Sequence, residues 1–326
     1  MKAGLLSLTL SLSITGLSSA AQPPVEASPA PTSQGQAGPD TVTVQASRER
    51  KELQREVDHF VFAMSVRYLN DALSRWNRPV CPLVAGLPRE QGEFVLARLS
   101  QIATQSKAPL ADEHCKANFY VVVTREPEAL LKAWHARDPN MYMTRNGWGH
   151  VRNFLDTPRP VRVWYNNEFR SSDGTALSAD SVAAALAGGL PGMAGTSLGM
   201  QLALANIPSS TVPTGTRLRR GAVQTLSSVI VVVDARRVEN LQLVQVADYI
   251  GLVGLAEVNL DADVGSAPSI TKLFRDAPDA PQGLSSFDQA FLAALYRADQ
   301  PSVMQESAMK RIMLEGIAAQ HTAHTP

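Results

Sequence analysis

This chain has no net charge and few cysteines, and each of these properties excludes some classes of function. The sequence has 30 basic and 30 acidic residues, so it lacks the excess positive charge that binds nucleic acids or anionic membranes. Cys81 and Cys115 are its two cysteines, and their spacing excludes a CxxC zinc or redox motif. In an oxidising compartment such an isolated pair predicts a disulfide, which here closes a loop of roughly 35 residues.

Nucleotide-binding signatures are also missing. The sequence contains no GxxxxGK[ST] phosphate loop and no GxGxxG after a strand. The histidines are scattered, so they predict neither a metal site nor a cofactor. His150 follows Trp148 in NGWGHVRN, an aromatic and polar stretch typical of a loop that lines a ligand site. Trp148 and His150 are therefore candidate groove residues; a loop histidine packed on an aromatic ring or in solvent is the alternative.

The first 21 residues have the three parts of a secretory leader. Lys2 provides the positive start, Leu5–Leu17 the apolar run, and Ser18–Ala21 the small residues before a cleavage site. The apolar run is too short for a membrane span. We therefore expect 1–21 to be a signal peptide and the mature protein to be periplasmic or secreted, without a transmembrane segment. The next stretch, 22–46, is rich in Pro, Ala and Ser and is expected to be a disordered tether.

Periodic patterns begin near Arg48 and predict a single α+β domain over 47–320, followed by a frayed tail at 321–326. Strands are expected where β-branched and aromatic residues cluster, and helices where apolar residues recur every three or four positions. The predicted strands are 118–124, 161–165 and 227–234, and the predicted helices are 48–69, 89–105, one that starts at Pro127, 240–256, 286–296 and 302–319. Together they indicate a small mixed sheet of three or more strands packed with helices.

A Gly/Ala-rich segment at about 181–216 interrupts this pattern, because no charged residue lies between Asp180 and Arg217. Glycines and prolines within it break any apolar run that would be long enough to cross a membrane. Three interpretations stay open. The segment is a small-residue insertion at the edge of the core, a surface that docks a partner, or an element that contacts a membrane.

Three segments of the C-terminal part carry a family resemblance: SSVIVVVD, LQLVQVADYIGLVGLAEV and LSSFDQAFLAALY. Their order resembles zincin-type, metzincin-like metallopeptidases, in which a strand precedes a helix bearing HExxHxxGxxH. The resemblance implies a zincin-like fold, and it places Ala247 and Gly251 where the zinc-binding histidines stand. Asp248 then takes the glutamate position and Glu257 the third-ligand position. The whole chain also resembles a group of exported bacterial proteins of unknown role.

Neither alanine nor glycine can bind zinc, so the peptidase activity that the resemblance implies is not carried over. We expect a non-catalytic binding or scaffold protein of the cell envelope that retains a peptidase-like groove, with another envelope protein or a peptide as its partner. Arg236, Asp248 and Glu257 are expected to line this groove, and Ala247 and Gly251, one helical turn apart, to face it. The alternative is a hydrolase that acts on peptides or cell-wall material through a site without a recognised motif.

Overall fold

A computed structural model describes residues 39–66, 72–142, 148–171, 218–220, 222–275 and 277–323. The chain divides between Ala46 and Ser47 into two units, and the larger unit holds the sheet and the helices packed on it. The predicted signal peptide, the tether up to residue 38, the uncharged segment and the last three residues lie outside the described residues.

The helices coincide in most cases with the periodic apolar patterns of the sequence. Their bounds are α1 (Pro39–Met64), α2 (Arg89–Ser106), α3 (Pro127–Arg137), α4 (Trp148–Asp156), α5 (Ala235–Val238), α6 (Leu243–Leu255), α7 (Ser286–Arg297) and α8 (Gln305–Ala323). Short 3₁₀ turns at Pro139–Met141, Ile270–Phe274 and Ala277–Asp279 connect some of them. Helix α7 begins with a capping box, in which the Ser285 and Asp288 side chains each accept the other residue's backbone N–H.

The strands form one mixed sheet around a long central strand. They are β1 (Arg75–Trp76), β2 (Pro82–Ala85), β3 (Phe119–Thr124), β4 (Val161–Ser171) and β5 (Ala222–Asp234). Strand β4 pairs antiparallel with β5 along one edge, while β1 and β3 share the other edge of β5 in parallel and β2 lies outside β3. This sheet and its helices confirm the predicted α+β class.

Helices cover both faces of the sheet. The main apolar core lies between one face and helices α1, α2, α6, α7 and α8. A smaller cluster on the other face joins α3 and α4 to β4 and β5, with Trp164 and Phe154 among its members. Strand β4 therefore lies at the side of the sheet, where helix α4 and the chain beyond α6 both pass close to it.

Two stretches differ from their expected structure. Helix α1 begins at Pro39, inside the range that was predicted as a tether, with proline at the position where a helix tolerates its missing N–H. The stretch NGWGHVRN does not form a loop throughout, because Trp148 opens helix α4. That helix is stabilised by Val151, Phe154 and Leu155, which are buried together in the smaller cluster at helical spacing.

The predicted disulfide between Cys81 and Cys115 is confirmed, with 34 residues separating the two positions. It joins the segment before β2 to the segment before β3. Asn118 reinforces this connection, since its amide donates to the Pro79 carbonyl at 2.9 Å and accepts the Cys81 N–H at 2.8 Å. The two segments are therefore fixed side by side at the start of the parallel strands.

None of the helices within the described residues combines the length and the apolar character that crossing a membrane requires.

Candidate functional site

The helix that resembles a metal-binding helix, α6, is buried along almost its whole length. It packs mainly against α2, and the residues at the two histidine positions are both inaccessible to solvent. A Cβ atom on Gly251 would lie 2.5 Å from Cδ1 of Ile102 on α2. The expectation that Ala247 and Gly251 face a groove is therefore wrong, because α2 occupies the space beside Gly251. These residues do not fit a zinc site.

Asp248, at the position of the catalytic glutamate, does not line a groove either. Its carboxylate is 0 % exposed and receives two hydrogen bonds from Arg98 of α2, at 2.5 and 2.8 Å. The same carboxylate accepts the backbone N–H of Leu284 at 2.7 Å. The hydrogen bond that Arg98 donates to Asp248 holds the pKa of the Arg98 guanidinium above its ordinary value. Asp248 thus joins α6 to α2 and to the chain that leads into α7.

The other segments of the resemblance meet at the same place. Asp288 of α7 is fully buried, and it accepts hydrogen bonds from the Ser269 hydroxyl at 2.6 Å and the Ile270 N–H at 2.8 Å. Burial raises the pKa of the Asp288 carboxyl, and the hydrogen bonds that it accepts oppose this rise. The hydrogen bonds of Asp248 and Asp288 therefore connect α6, the turn at Ser269 and the start of α7.

Arg236, another residue expected in the groove, lies at the end of the central strand. It follows β5 at the start of α5, where Asp234 caps the helix by accepting the Arg236 backbone N–H at 3.0 Å. The exposed Arg236 guanidinium pairs with the same carboxylate, and this hydrogen bond raises the pKa of Arg236. Arg236 lines neither of the cavities described below. Its contacts within the described residues are those of a charged cap at a strand end.

A cavity of about 610 Å³ lies instead at the side of the sheet, beside β4. One wall is formed by His150, Asn153 and Phe154 of α4 and by Thr157 and Arg159, which follow this helix. The other wall is formed by residues 257–261, which follow α6. Its floor is formed by consecutive residues of β4, Arg162 to Tyr165, together with Asn167 and Gln224. This volume is within the range of about 300–1,000 Å³ that ligand-binding sites of proteins commonly have.

The free edge of β4 contributes main-chain groups to this cavity. Asp234 donates its N–H to the Pro160 carbonyl at 2.9 Å, which sets the alternation of the β4–β5 ladder. In an antiparallel ladder alternate residues bond to the partner strand through their main-chain groups. The N–H and C=O of Arg162 and Trp164 therefore point toward β5, and those of Val163 point away from it. Within the described residues no strand pairs with this outer edge of β4. The N–H and C=O of Val163 are therefore directed to the cavity side.

Two buried side-chain atoms of the cavity residues have no hydrogen-bond partner among the described residues. Arg162 is 2 % exposed; it pairs with Glu128 and donates to the Leu155 carbonyl at 3.1 Å, but its Nε has no acceptor. Asn167 donates to Glu257 at 3.0 Å, while its Oδ1 has no donor. Buried polar groups without partners are uncommon in native proteins. One unpaired donor and one unpaired acceptor therefore belong to residues that line this cavity.

Glu257 and His150 are the residues of the expected groove that do line the cavity. Glu257 lies just beyond α6 and is nearly buried, and His150 is exposed on α4. Trp148 begins the same helix, but its side chain lies outside the described residues. Farther along the wall, Arg159 forms a two-bond ion pair with Asp261, and these hydrogen bonds hold the pKa of the Asp261 carboxyl below its usual range.

No metal centre accompanies this cavity in the part of the chain that the structure describes. There, no three His, Cys, Asp or Glu side chains come close enough together to hold a metal ion. The groups that line the cavity are both polar and apolar. They include main-chain donors and acceptors, amide and guanidinium groups, and the aromatic rings of Phe154, Trp164 and Tyr165.

No protein-family model, curated protein or solved structure matches this chain.

Three residues that line the cavity were not predicted from the sequence: Arg162, Asn167 and Gln224. The motif VRVWY did carry a signal, because an arginine between valines in an apolar strand must find a partner when the strand is buried. The partner, Glu128, belongs to α3 and is 34 residues away in the sequence. Its proximity depends on the packing of α3 on the sheet, which periodicity does not reveal.

Proposed function

We propose that this chain is an exported protein of the cell envelope that binds an extended peptide segment without cleaving it. The observation that carries the proposal is the cavity beside β4, where the outer main-chain edge of a strand and buried unpaired polar atoms occur together. A peptide offers alternating N–H and C=O groups, which complement the outward N–H and C=O of Val163. Addition of a strand to a free sheet edge is a common mode of peptide recognition.

The packing of α6 supports binding rather than cleavage. The positions that the resemblance assigns to the two histidines and the glutamate are occupied by close helix contacts and by a buried ion pair. Glu257, at the third-ligand position, instead hydrogen-bonds Asn167 in the cavity. The chain thus uses the helix as a support for the groove. No contact among the described residues favours the hydrolase alternative.

Export is supported by the leader-like residues 1–21 and by the Cys81–Cys115 bridge, since disulfides persist in oxidising compartments. The mass of the protein recovered from the producing cell tests this part, because removal of the leader changes the N-terminus.

A proline at position 163 tests the peptide groove. We expect Val163→Pro to weaken binding of a heptapeptide selected from a random phage-displayed library by about tenfold or more, because proline removes the outward N–H and fills its place with Cδ. The β4–β5 ladder should remain, since the Val163 N–H does not belong to it. Affinity is measured by fluorescence polarisation of the labelled peptide, with folding checked by circular dichroism.

Ser286→Pro is the matched control, because it places proline at the first position of α7, where a helix tolerates it. It should bind the peptide as the unaltered protein does. Equal affinity of Val163→Pro and the unaltered protein would contradict the groove. Mass spectrometry of the peptide after incubation detects cleavage, which would favour the hydrolase alternative.

A further inference from the structure

A second cavity, of about 620 Å³, lies near the disulfide and the first residues of β3. It is lined by Tyr120 of β3, Ile230 of β5 and Trp134 of α3, all of which belong to or pack against the smaller apolar cluster. None of its lining residues is shared with the cavity beside β4. It is therefore a separate site, and its chemistry is independent of the proposed peptide groove.

Two cationic side chains line this second cavity, Arg78 and Lys116. The Cys81–Cys115 disulfide holds the two segments that carry these side chains next to each other. Arg78 lies three residues before Cys81, and Lys116 directly follows Cys115. The Asn118 amide locks the same two segments to each other through Pro79 and Cys81. Asn118 also lines the cavity, so the basic wall is held by a covalent bond and two hydrogen bonds.

The carboxylate that pairs with this wall among the described residues is shared with a second arginine. Arg78 forms an ion pair with Glu168, but the same carboxylate also pairs with Arg170 at 2.8 Å. Within the described residues Lys116 forms no ion pair, and its side chain is exposed. A negatively charged group in this cavity would lie beside two cationic side chains, Arg78 and Lys116.

The remaining lining is suited to an apolar body with a few polar contacts. Tyr120, Trp134, Met141 and Ile230 provide aromatic and aliphatic surface. The Ser228 hydroxyl accepts a hydrogen bond from the Asn166 amide at 2.9 Å, which leaves its own proton to be donated elsewhere. Sites with mostly apolar walls and a few convergent polar groups are typical of small-molecule binding.

We propose that this cavity binds a small amphipathic organic anion, with its carboxylate, sulfonate or phosphate group at Arg78 and Lys116 and its apolar body against Trp134 and Tyr120. The Glu168 carboxylate also forms an ion pair with Arg170, so Arg78 can be replaced without leaving that carboxylate unpaired.

Anilinonaphthalene sulfonate is a suitable probe, and N-phenylnaphthylamine is its uncharged counterpart with the same aromatic body. The unaltered protein should bind the sulfonate saturably. The double substitution Arg78→Gln with Lys116→Gln should raise its dissociation constant about tenfold or more, because two charge-assisted contacts are lost. Binding of the uncharged probe should change less than about twofold, since its apolar contacts remain. Fluorescence titration at low salt measures both constants, and added salt should weaken only the binding of the sulfonate.

The matched control is Arg89→Gln with Lys132→Gln, which removes two exposed basic residues that line neither cavity. It should leave the affinity for both probes unchanged, which separates a local effect from a change in overall charge. The proposal is overturned if the sulfonate binds the Arg78 and Lys116 variant as tightly as the unaltered protein. It is equally overturned if the two double variants weaken binding alike, or if the unaltered protein binds no sulfonate saturably.

Discussion

Replacement of Asp248 by asparagine should lower the free energy of unfolding by about 3 kcal/mol, because it leaves the Arg98 guanidinium without its buried counter-charge. The Asp248 carboxylate is fully buried, whereas Arg98 keeps a quarter of its side chain exposed, so the effect should lie at the lower end for a broken buried pair. The same change weakens the acceptor of the Leu284 N–H. Urea denaturation followed by circular dichroism measures the difference.

Asp261→Asn is the matched control for this experiment. Asp261 also forms two hydrogen bonds with an arginine, Arg159, but its side chain is 69 % exposed. Solvent screens such a pair, so its loss should cost less than about 1 kcal/mol. Equal effects of the two substitutions would show that Asp248 does not hold α6 against α2.

The second large effect is expected at Gly254, where a side chain has no room. A Cβ atom at this position would lie 1.9 Å from Cζ of Phe119, whose ring is 1 % exposed in the core. The Gly254 carbonyl also accepts the Trp76 indole N–H at 2.8 Å, which limits movement of the helix. We expect Gly254→Ala to destabilise the domain by about 3 kcal/mol, the upper end for overpacking.

Gly92 provides the contrast, because nothing lies within 4 Å of a Cβ atom placed there. Gly92→Ala in α2 should stabilise the domain by about 0.5–1 kcal/mol through the higher helix propensity of alanine. Thermal and urea unfolding of the two variants give the comparison. A neutral Gly254→Ala would mean that α6 does not approach β3 as closely as the structure has it.

The sequence predicted the sheet well where a strand is long and strongly patterned. The run SVIVVVD lies in β5, and VRVWY begins β4, because β-branched and aromatic residues suit a buried pleated surface. Strand β1 has two residues, Arg75 and Trp76, and is too short to carry any period. Its strand character comes from pairing with β5, which is distant in sequence.

The candidate site was less predictable, because its residues are brought together by packing. Asp248 was expected in a groove, and its position is decided by Arg98, which lies 150 residues earlier in the chain. Gly254, at the glycine position of HExxHxxGxxH in the resemblance, has a physical reason that the sequence alone could not supply, because a side chain there would collide with Phe119. Glu257 and His150 do reach the cavity, but Arg162 and Asn167, with unpaired polar atoms, were not anticipated.

We propose that peptide binding occurs at the free edge of β4, which the buried helix α6 supports. Amide hydrogen exchange, read residue by residue by NMR with and without the selected heptapeptide, tests it most directly. We expect slower exchange of the outward Val163 amide and of 257–261 when the peptide is bound. Exchange slowed instead at 236–251, with β4 unchanged, would contradict it and return the binding site to the helix of the resemblance.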